Sequence, residues 1–201
     1  FTALHYRGNG SSGHQLRHGL AAKPKMVWVK KLSGNEGWYV YLEAMGNTKY
    51  HRLDDASSYG SSSGYWNNTD PTATHMILGN SGAVNSNGGK YMMYSFGDSD
   101  ITKVGTYTGN GSGSGPSITL GFTPRMLVIK KLEANSPWCL FDSYALDLDS
   151  SGDEKVLYFD DLATKPDDED FVDTTGTGFD VKDNDSKVNS NGSTYLYWAH
   201  K

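Results

Sequence analysis

The sequence predicts an all-β protein made of two tandem repeats, residues 1–100 and 101–201, each a jelly-roll-like β-sandwich. Three observations lead there. Gly, Ser, Asn, Asp and Thr are abundant and Leu is scarce, while 13 Tyr and 5 Trp supply bulk. Such a composition suits short strands joined by many turns. Short apolar runs are separated by Gly- and Asn-rich segments, and no sustained 3.6-residue period appears. The third observation is an ordered internal repeat.

Tyr6-Arg-Gly-Asn-Gly-Ser11 returns as Tyr107-Thr-Gly-Asn-Gly-Ser112, an offset of 101. "PKMVWVKKL" at Pro24–Leu32 returns as "PRMLVIKKL" at Pro124–Leu132, an offset of 100 that Trp38 and Trp138 keep. "VNSNGGKYMMYSF" at Val84–Phe96 returns as "VNSNGSTYLYWAH" at Val188–His200, an offset of 104. Matching blocks in the same order, with small insertions between them, are the signature of duplication. Two copies are too few for a solenoid, so each is expected to hold its own core.

Within the first copy, "MVWVKKL" and "WYVYL" flank "SGNEG" and read as an antiparallel hairpin. Between Tyr41 and Ala56 there is room for a helical turn, interrupted by Gly46. "YMMYSF" alternates, with Tyr91, Met93 and Ser95 on one face and Met92, Tyr94 and Phe96 on the other. Its Asn87-Gly88-Gly89 lead-in supplies residues that tolerate positive φ, so VNSNG reads as a turn that aims the last strand. Lys30-Lys31 and Lys130-Lys131 close matching strands, where lysine discourages edge-to-edge aggregation.

The net charge of −5 argues against a nucleic-acid partner. It is unevenly spread. Residues 1–100 hold nine Lys and Arg against seven Asp and Glu, a balance of +2. Residues 101–201 hold nine against sixteen, a balance of −7. No run of 18 apolar residues exists, so no membrane insertion is expected, and the first residues lack the order of a secretory signal. Phe1 in place of Met suggests a processed form or part of a longer protein. The single Cys139, in "SPWCLFD", reads as a buried thiol without a disulfide partner.

Chemistry-bearing patterns are few. His14 and His18 stand four apart where a helix is not expected and no carboxylate is near, a poor zinc pattern. Asp147, Asp149, Ser151 and Asp153, with Gly152, resemble the start of a calcium loop, although Tyr158 stands where an EF-hand needs Glu. Calcium is the only cofactor the sequence suggests, and a solvated polar loop is the competing reading. No nucleophile elbow, phosphate loop or dinucleotide fingerprint is present, and the acidic segments favour ionised, solvated carboxylates over a tuned acid. A non-enzymatic protein is therefore expected. A glycan site is suggested by Tyr59, Tyr65, Trp66, Asn67, Asn68 and Asp70, because aromatic faces stack on sugar rings and amides or carboxylates hold hydroxyls. The alternative is that Trp66 fills the core while Asn68-Thr-Asp-Pro71 makes a turn.

The runs "GWYVYLEAMGNTKYHRLDDASS" and "YWNNTDPTATHMILGNSGAVNSNGGKYMMYSFG", with the second "YTGNGSGSGPSITLGFTPRMLVIKK" and "VNSNGSTYLYWAHK", resemble a duplicated β-domain of tailed-bacteriophage virion proteins. That domain is common in marine and cyanobacterial phages, in tail-fibre and structural proteins. The resemblance covers nearly the whole sequence and departs at Leu42, where members commonly carry His. It implies a virion location, on the tail or the capsid exterior, with no catalytic residues. Other virion proteins are the implied partners, in a homo-oligomer such as the trimer of a fibre. A host cell-surface glycan is a candidate ligand. The expected role is host attachment within a tail fibre or appendage. A capsid-surface decoration protein and a stand-alone carbohydrate-binding module are the alternatives, and a glycan depolymerase is a remote fourth.

Overall fold

The computed structural model describes residues 1–144, 146, 154–161 and 165–201. They form two compact units. Unit 1 comprises Phe1–Asp54 and Tyr59–Gly97, and unit 2 comprises Asp55–Ser58 and Asp98–Lys201. The protein is all-β, and its described helices are short turns.

Unit 1 contains β1 (Thr2–Arg7), β2 (His14–Arg17), β3 (Met26–Lys31), β4 (Trp38–Leu42), β5 (Lys49–Arg52), β6 (Gly60–Ser61), β7 (His75–Leu78) and β8 (Lys90–Phe96). Two α-helical turns, α1 (Ser63–Trp66) and α2 (Gly82–Asn85), and a 3-10 turn over Glu43–Met45 that ends at Gly46 interrupt them. One antiparallel sheet runs β1-β8-β3-β4-β5-β6, and β2 pairs with β7 in a separate ribbon. The β3–β4 hairpin sets Val27 opposite Tyr41 and Val29 opposite Tyr39. Strand alternation turns all four inward, where they pack with Tyr91 and Met93 of β8.

The second layer over this sheet comes from Leu16, Trp66, Met76, Leu78, Ala83 and Val84. Strands thus divide six and two, whereas an eight-stranded jelly roll would divide them evenly. Serine caps explain part of the difference. The Ser62 and Ser81 hydroxyls accept hydrogen bonds from Gly64 and Ala83 N–H, which starts helical turns where extended backbone would otherwise run on. Fully burying a residue such as Val27 or Met93 stabilises the unit by roughly 1.5–3 kcal/mol.

Unit 2 contains β9 (Thr102–Thr108), β10 (Ser117–Thr119), β11 (Met126–Lys131), β12 (Trp138–Asp142), β13 (Glu154–Tyr158), β14 (Lys165–Glu169), β15 (Val172–Thr175), β16 (Gly178–Val181) and β17 (Thr194–His200). Its larger sheet runs β9-β17-β11-β12-β13-β14, and β10, β16 and β15 form a three-stranded sheet. Position by position, β9, β17, β11, β12 and β13 follow the pairing of β1, β8, β3, β4 and β5. The core gathers Leu127, Ile129, Phe141, Phe171, Phe179 and Tyr195.

Each unit is closed by an interlock of the same design. In unit 1, Tyr6 stacks on Tyr91 at 5.0 Å, and its hydroxyl donates to the Val84 carbonyl at 2.6 Å. In unit 2, Tyr107 stacks on Tyr195 at 5.1 Å, and its hydroxyl donates to the Val188 carbonyl at 2.7 Å. At the centre of each lies the first asparagine of VNSNG, wholly buried. Asn85 Nδ2 donates to Asn9 Oδ1 at 3.2 Å, the Ser11 carbonyl at 2.9 Å and the Gly79 carbonyl at 2.7 Å. Its Oδ1 accepts from Asn9 N–H at 2.9 Å and from His14 Nδ1 at 2.9 Å. Asn189 Nδ2 donates to Asn110 Oδ1, the Ser112 carbonyl and the Asp183 carbonyl at 3.1, 2.8 and 2.9 Å. Its Oδ1 accepts from Asn110 N–H at 2.8 Å.

The glycines of the two motifs let their backbones meet. A Cβ on Gly8 would lie 2.3 Å from the Ser86 carbonyl oxygen, and one on Gly109 would lie 2.4 Å from that of Ser190. Gly88 and Gly192 both take φ of +73°, which glycine adopts without strain. VNSNG is therefore a turn, as the sequence suggests. It also carries the amide that ties the first and last strands of each unit together.

Candidate functional site

The sequence-derived glycan candidates lie around β5 and α1 of unit 1, and strand alternation separates them. Lys49 and His51 face one side of β5, and Tyr50 faces the other. Tyr59 belongs to the first side, with the Lys49 ammonium 4.1 Å from its ring centre and the His51 ring at 6.4 Å. Tyr65 belongs to the second side, 4.0 Å from Tyr50 and 4.8 Å from Tyr39 between ring centres.

Trp66 joins neither. It is fully buried against Tyr41, and its Nε1–H donates to the Lys49 carbonyl at 2.9 Å. Its ring faces are taken by the core, so Trp66 is corrected from a sugar-stacking residue to a core residue. The physical reason lies in α1, which sets Tyr65 and Trp66 on adjacent faces of one helical turn. The larger ring then fills the gap between sheet and ribbon. Asn67 and Asn68 end that turn in the left-handed region, with φ of 54° and 48°. Asn67 spends its amide locally, Nδ2 donating to Thr69 Oγ1 at 3.3 Å.

Asp70 lies in an ionic network. Lys23 Nζ is 3.2 Å from Asp70 and 3.4 Å from Glu43, Lys25 Nζ is 2.8 Å from Glu43, and Asn47 Nδ2 donates to Asp70 at 2.7 Å. Hydrogen bonds from Asn47 and Lys23 hold the Asp70 carboxyl below its ordinary range. Glu43 is also lowered: burial works against ionisation there, and Lys25 and Lys23 together outweigh it. Among the described residues the buried Tyr41 hydroxyl has no hydrogen-bond partner, and it titrates above its ordinary value, through burial and the nearby Asp70 and Glu43 charges. At the register-equivalent place in unit 2 stands Phe141.

The half-buried Tyr50 and Tyr65 thus remain as an aromatic pair with hydroxyl edges. Burial raises both pKa values. Such a pair offers π-faces and hydrogen-bonding edges together, the combination that sugar rings engage. Sequence reading missed Tyr39 and Tyr50. The signal was the alternation of "KYHR", which turns Tyr50 toward Tyr65.

Asp147, Asp149, Ser151 and Asp153 lie outside the described residues. Among the described residues, no group of three His, Cys, Asp or Glu is placed to hold a metal ion. His14 bonds Asn85, while His18 takes a bond from Leu20 N–H at 3.1 Å and meets the Thr72 carbonyl at 3.2 Å. Cys139 is buried in the unit 2 core, and burial pushes its thiol up. Lys130 of unit 2 is buried as well, donating to the carbonyls of Ser136, Ala56 at 3.1 Å and Ser57 at 3.5 Å. Burial lowers its pKa to about 8. Among the described residues, no helix is long and apolar enough to cross a membrane.

Fold and site together define an all-β protein of two compact antiparallel units, each tied by a buried asparagine. The protein belongs to the family described as a domain of unknown function, DUF7483, which matches residues 1–201. No curated protein and no solved structure matches it.

Proposed function

We propose that the protein is a non-enzymatic structural component of a tailed-phage virion, within a tail fibre or appendage that contributes to host attachment. The observation that supports this reading best is the interlock built twice in one polypeptide, in halves that carry unlike charge. Antiparallel ladders satisfy the backbone internally and leave loops free to vary, which suits a rigid carrier of surface contacts. Unit 1, in which nine Lys and Arg stand against four Asp and Glu for a balance of +5, carries the Tyr50–Tyr65 pair and is assigned to a host-surface glycan. Fibres assemble with symmetry, so a homo-oligomer, with a trimer as the fibre form, is part of the reading.

Immunogold labelling of intact particles with antibody to this protein tests it. Gold on the tail or fibre tips is the expected result. Gold spread over the head would replace the reading with a capsid decoration protein, and particles without gold would overturn both. On a glycan array, binding that Tyr65→Ala abolishes and Asp70→Ala spares is the expected pattern for the aromatic pair.

A further inference from the structure

We propose that the two interlocks hold shut four latent deamidation sites, so that opening either interlock exposes its unit to a covalent change. The sequence Asn-Gly occurs at Asn9-Gly10, Asn87-Gly88, Asn110-Gly111 and Asn191-Gly192. All four lie within the interlocks. At such sequences the glycine amide nitrogen attacks the Cγ of the preceding asparagine. A ring C–N bond forms, the side-group C–N bond breaks, ammonia leaves with the amide proton, and water then opens the succinimide to Asp or isoaspartate. Glycine makes the step easy because no Cβ hinders the nitrogen and the backbone turns freely.

In this structure every one of those nitrogens is engaged. Gly10 N–H donates to the Asn85 carbonyl at 2.8 Å, and Gly111 N–H donates to the Asn189 carbonyl at 2.9 Å. Gly88 N–H donates to the Gly8 carbonyl and Gly192 N–H to the Gly109 carbonyl, each at 2.9 Å. A donated N–H is harder to deprotonate, and its direction is fixed toward the accepting carbonyl and away from its own asparagine.

The four sites are not equally held. Asn9 Oδ1 also accepts from Ser11 N–H at 2.9 Å and Asn85 Nδ2 at 3.2 Å. Asn110 Oδ1 accepts from Ser112 N–H at 3.0 Å and Asn189 Nδ2 at 3.1 Å, and its Nδ2 donates to the Ser114 carbonyl at 2.9 Å. Those two carboxamides are clasped as well as faced with an occupied nitrogen. Asn87 and Asn191 are exposed and depend on the glycine bond. They are the sites that convert first when an interlock opens, each adding a negative charge to a protein of net charge −5.

The test is peptide mapping by mass spectrometry, with isoaspartate detection, on the intact protein incubated natively and in urea. All four sites are expected to convert in urea, and in the native protein to convert slower by about tenfold or more, with Asn87 and Asn191 leading. Conversion of any site at its urea rate in the native protein would overturn the proposal. Tyr91→Phe removes the hydroxyl that accepts from Ser86 N–H and donates to the Gly82 carbonyl, both at 2.7 Å. It is expected to speed Asn87 without changing Asn191, and Tyr195→Phe to do the reverse. Equal acceleration at both sites, or none at either, would overturn the assignment of each site to its own interlock.

Discussion

The two interlocks are nearly the same object, and the regions beside them are not. Tyr6 with Tyr91 and Tyr107 with Tyr195 stack at almost the same separation, 5.0 against 5.1 Å. Asn85 and Asn189 each spend their amide hydrogens on the preceding motif and on the backbone just before VNSNG. Beside them, Tyr41 of unit 1 has Phe141 at its register-equivalent place in unit 2, and Trp66 has no counterpart in the repeated blocks. The charge balance of +2 over residues 1–100 becomes −7 over residues 101–201. The side chains of the interlock are the same in both units, and a buried amide tolerates no change without orphaning several partners. Those that only fill or decorate differ.

That comparison can be broken most severely at the backbone contact. Gly8→Ala and Gly109→Ala each push a methyl to within 2.4 Å of a carbonyl oxygen or closer. Each is expected to cost its unit about 3 kcal/mol or more in denaturant unfolding. The two losses should be alike. Next come Tyr6→Phe and Tyr107→Phe, which delete one buried hydrogen bond and keep the stack. A loss of about 1 kcal/mol is expected for each, again matched between units. Tyr41→Phe sharpens the contrast from the other side. Its hydroxyl has no partner among the described residues and unit 2 does without it, so stability should hold or rise by up to about 1 kcal/mol.

A smaller effect distinguishes the paired lysines. Lys30 is half-buried and donates to the Glu36 carbonyl, whereas Lys130 is wholly buried among three carbonyls. With its pKa lowered to about 8 from an ordinary 10.5, Lys130 is deprotonated in the folded state before the unfolded state loses the same proton. Between those values the unfolded state binds more protons, so stability rises with pH. Below pH 8 both states are charged and the burial penalty is present in full. Lys130→Met is expected to flatten the rise seen by thermal unfolding between pH 8 and 10.5.

Much of the fold was legible because its signals are local. The β3–β4 hairpin followed from two β-branched and aromatic runs around "SGNEG", and β8 followed from the alternation of "YMMYSF". The uneven division of strands was not legible, since α1 and α2 depend on single serine caps within polar loops that read equally well as turns. The glycan candidates were gathered by closeness in sequence, but a strand sends neighbours to opposite faces. Tyr59 and Tyr65 consequently part company across β5, and Trp66 turns inward. Asn85 was visible as a repeated letter and invisible as a keystone. Its partners Asn9, Ser11 and Gly79 are brought to it only by the assembled sheet and ribbon. Trp38 and Trp138 hide a similar tie, their backbone N–H groups donating to Asp54 and Asp160, which no repeated block contains.

Equilibrium unfolding of Asn85→Ala and Asn189→Ala, followed separately for each unit, tests the keystone role most directly. Each substitution leaves three acceptors and a backbone N–H without their amide partner. The expected result is a loss of about 2–4 kcal/mol in the unit that carries the change, of similar size in both. A loss below about 0.5 kcal/mol in either unit, the range of an ordinary surface substitution, would contradict it.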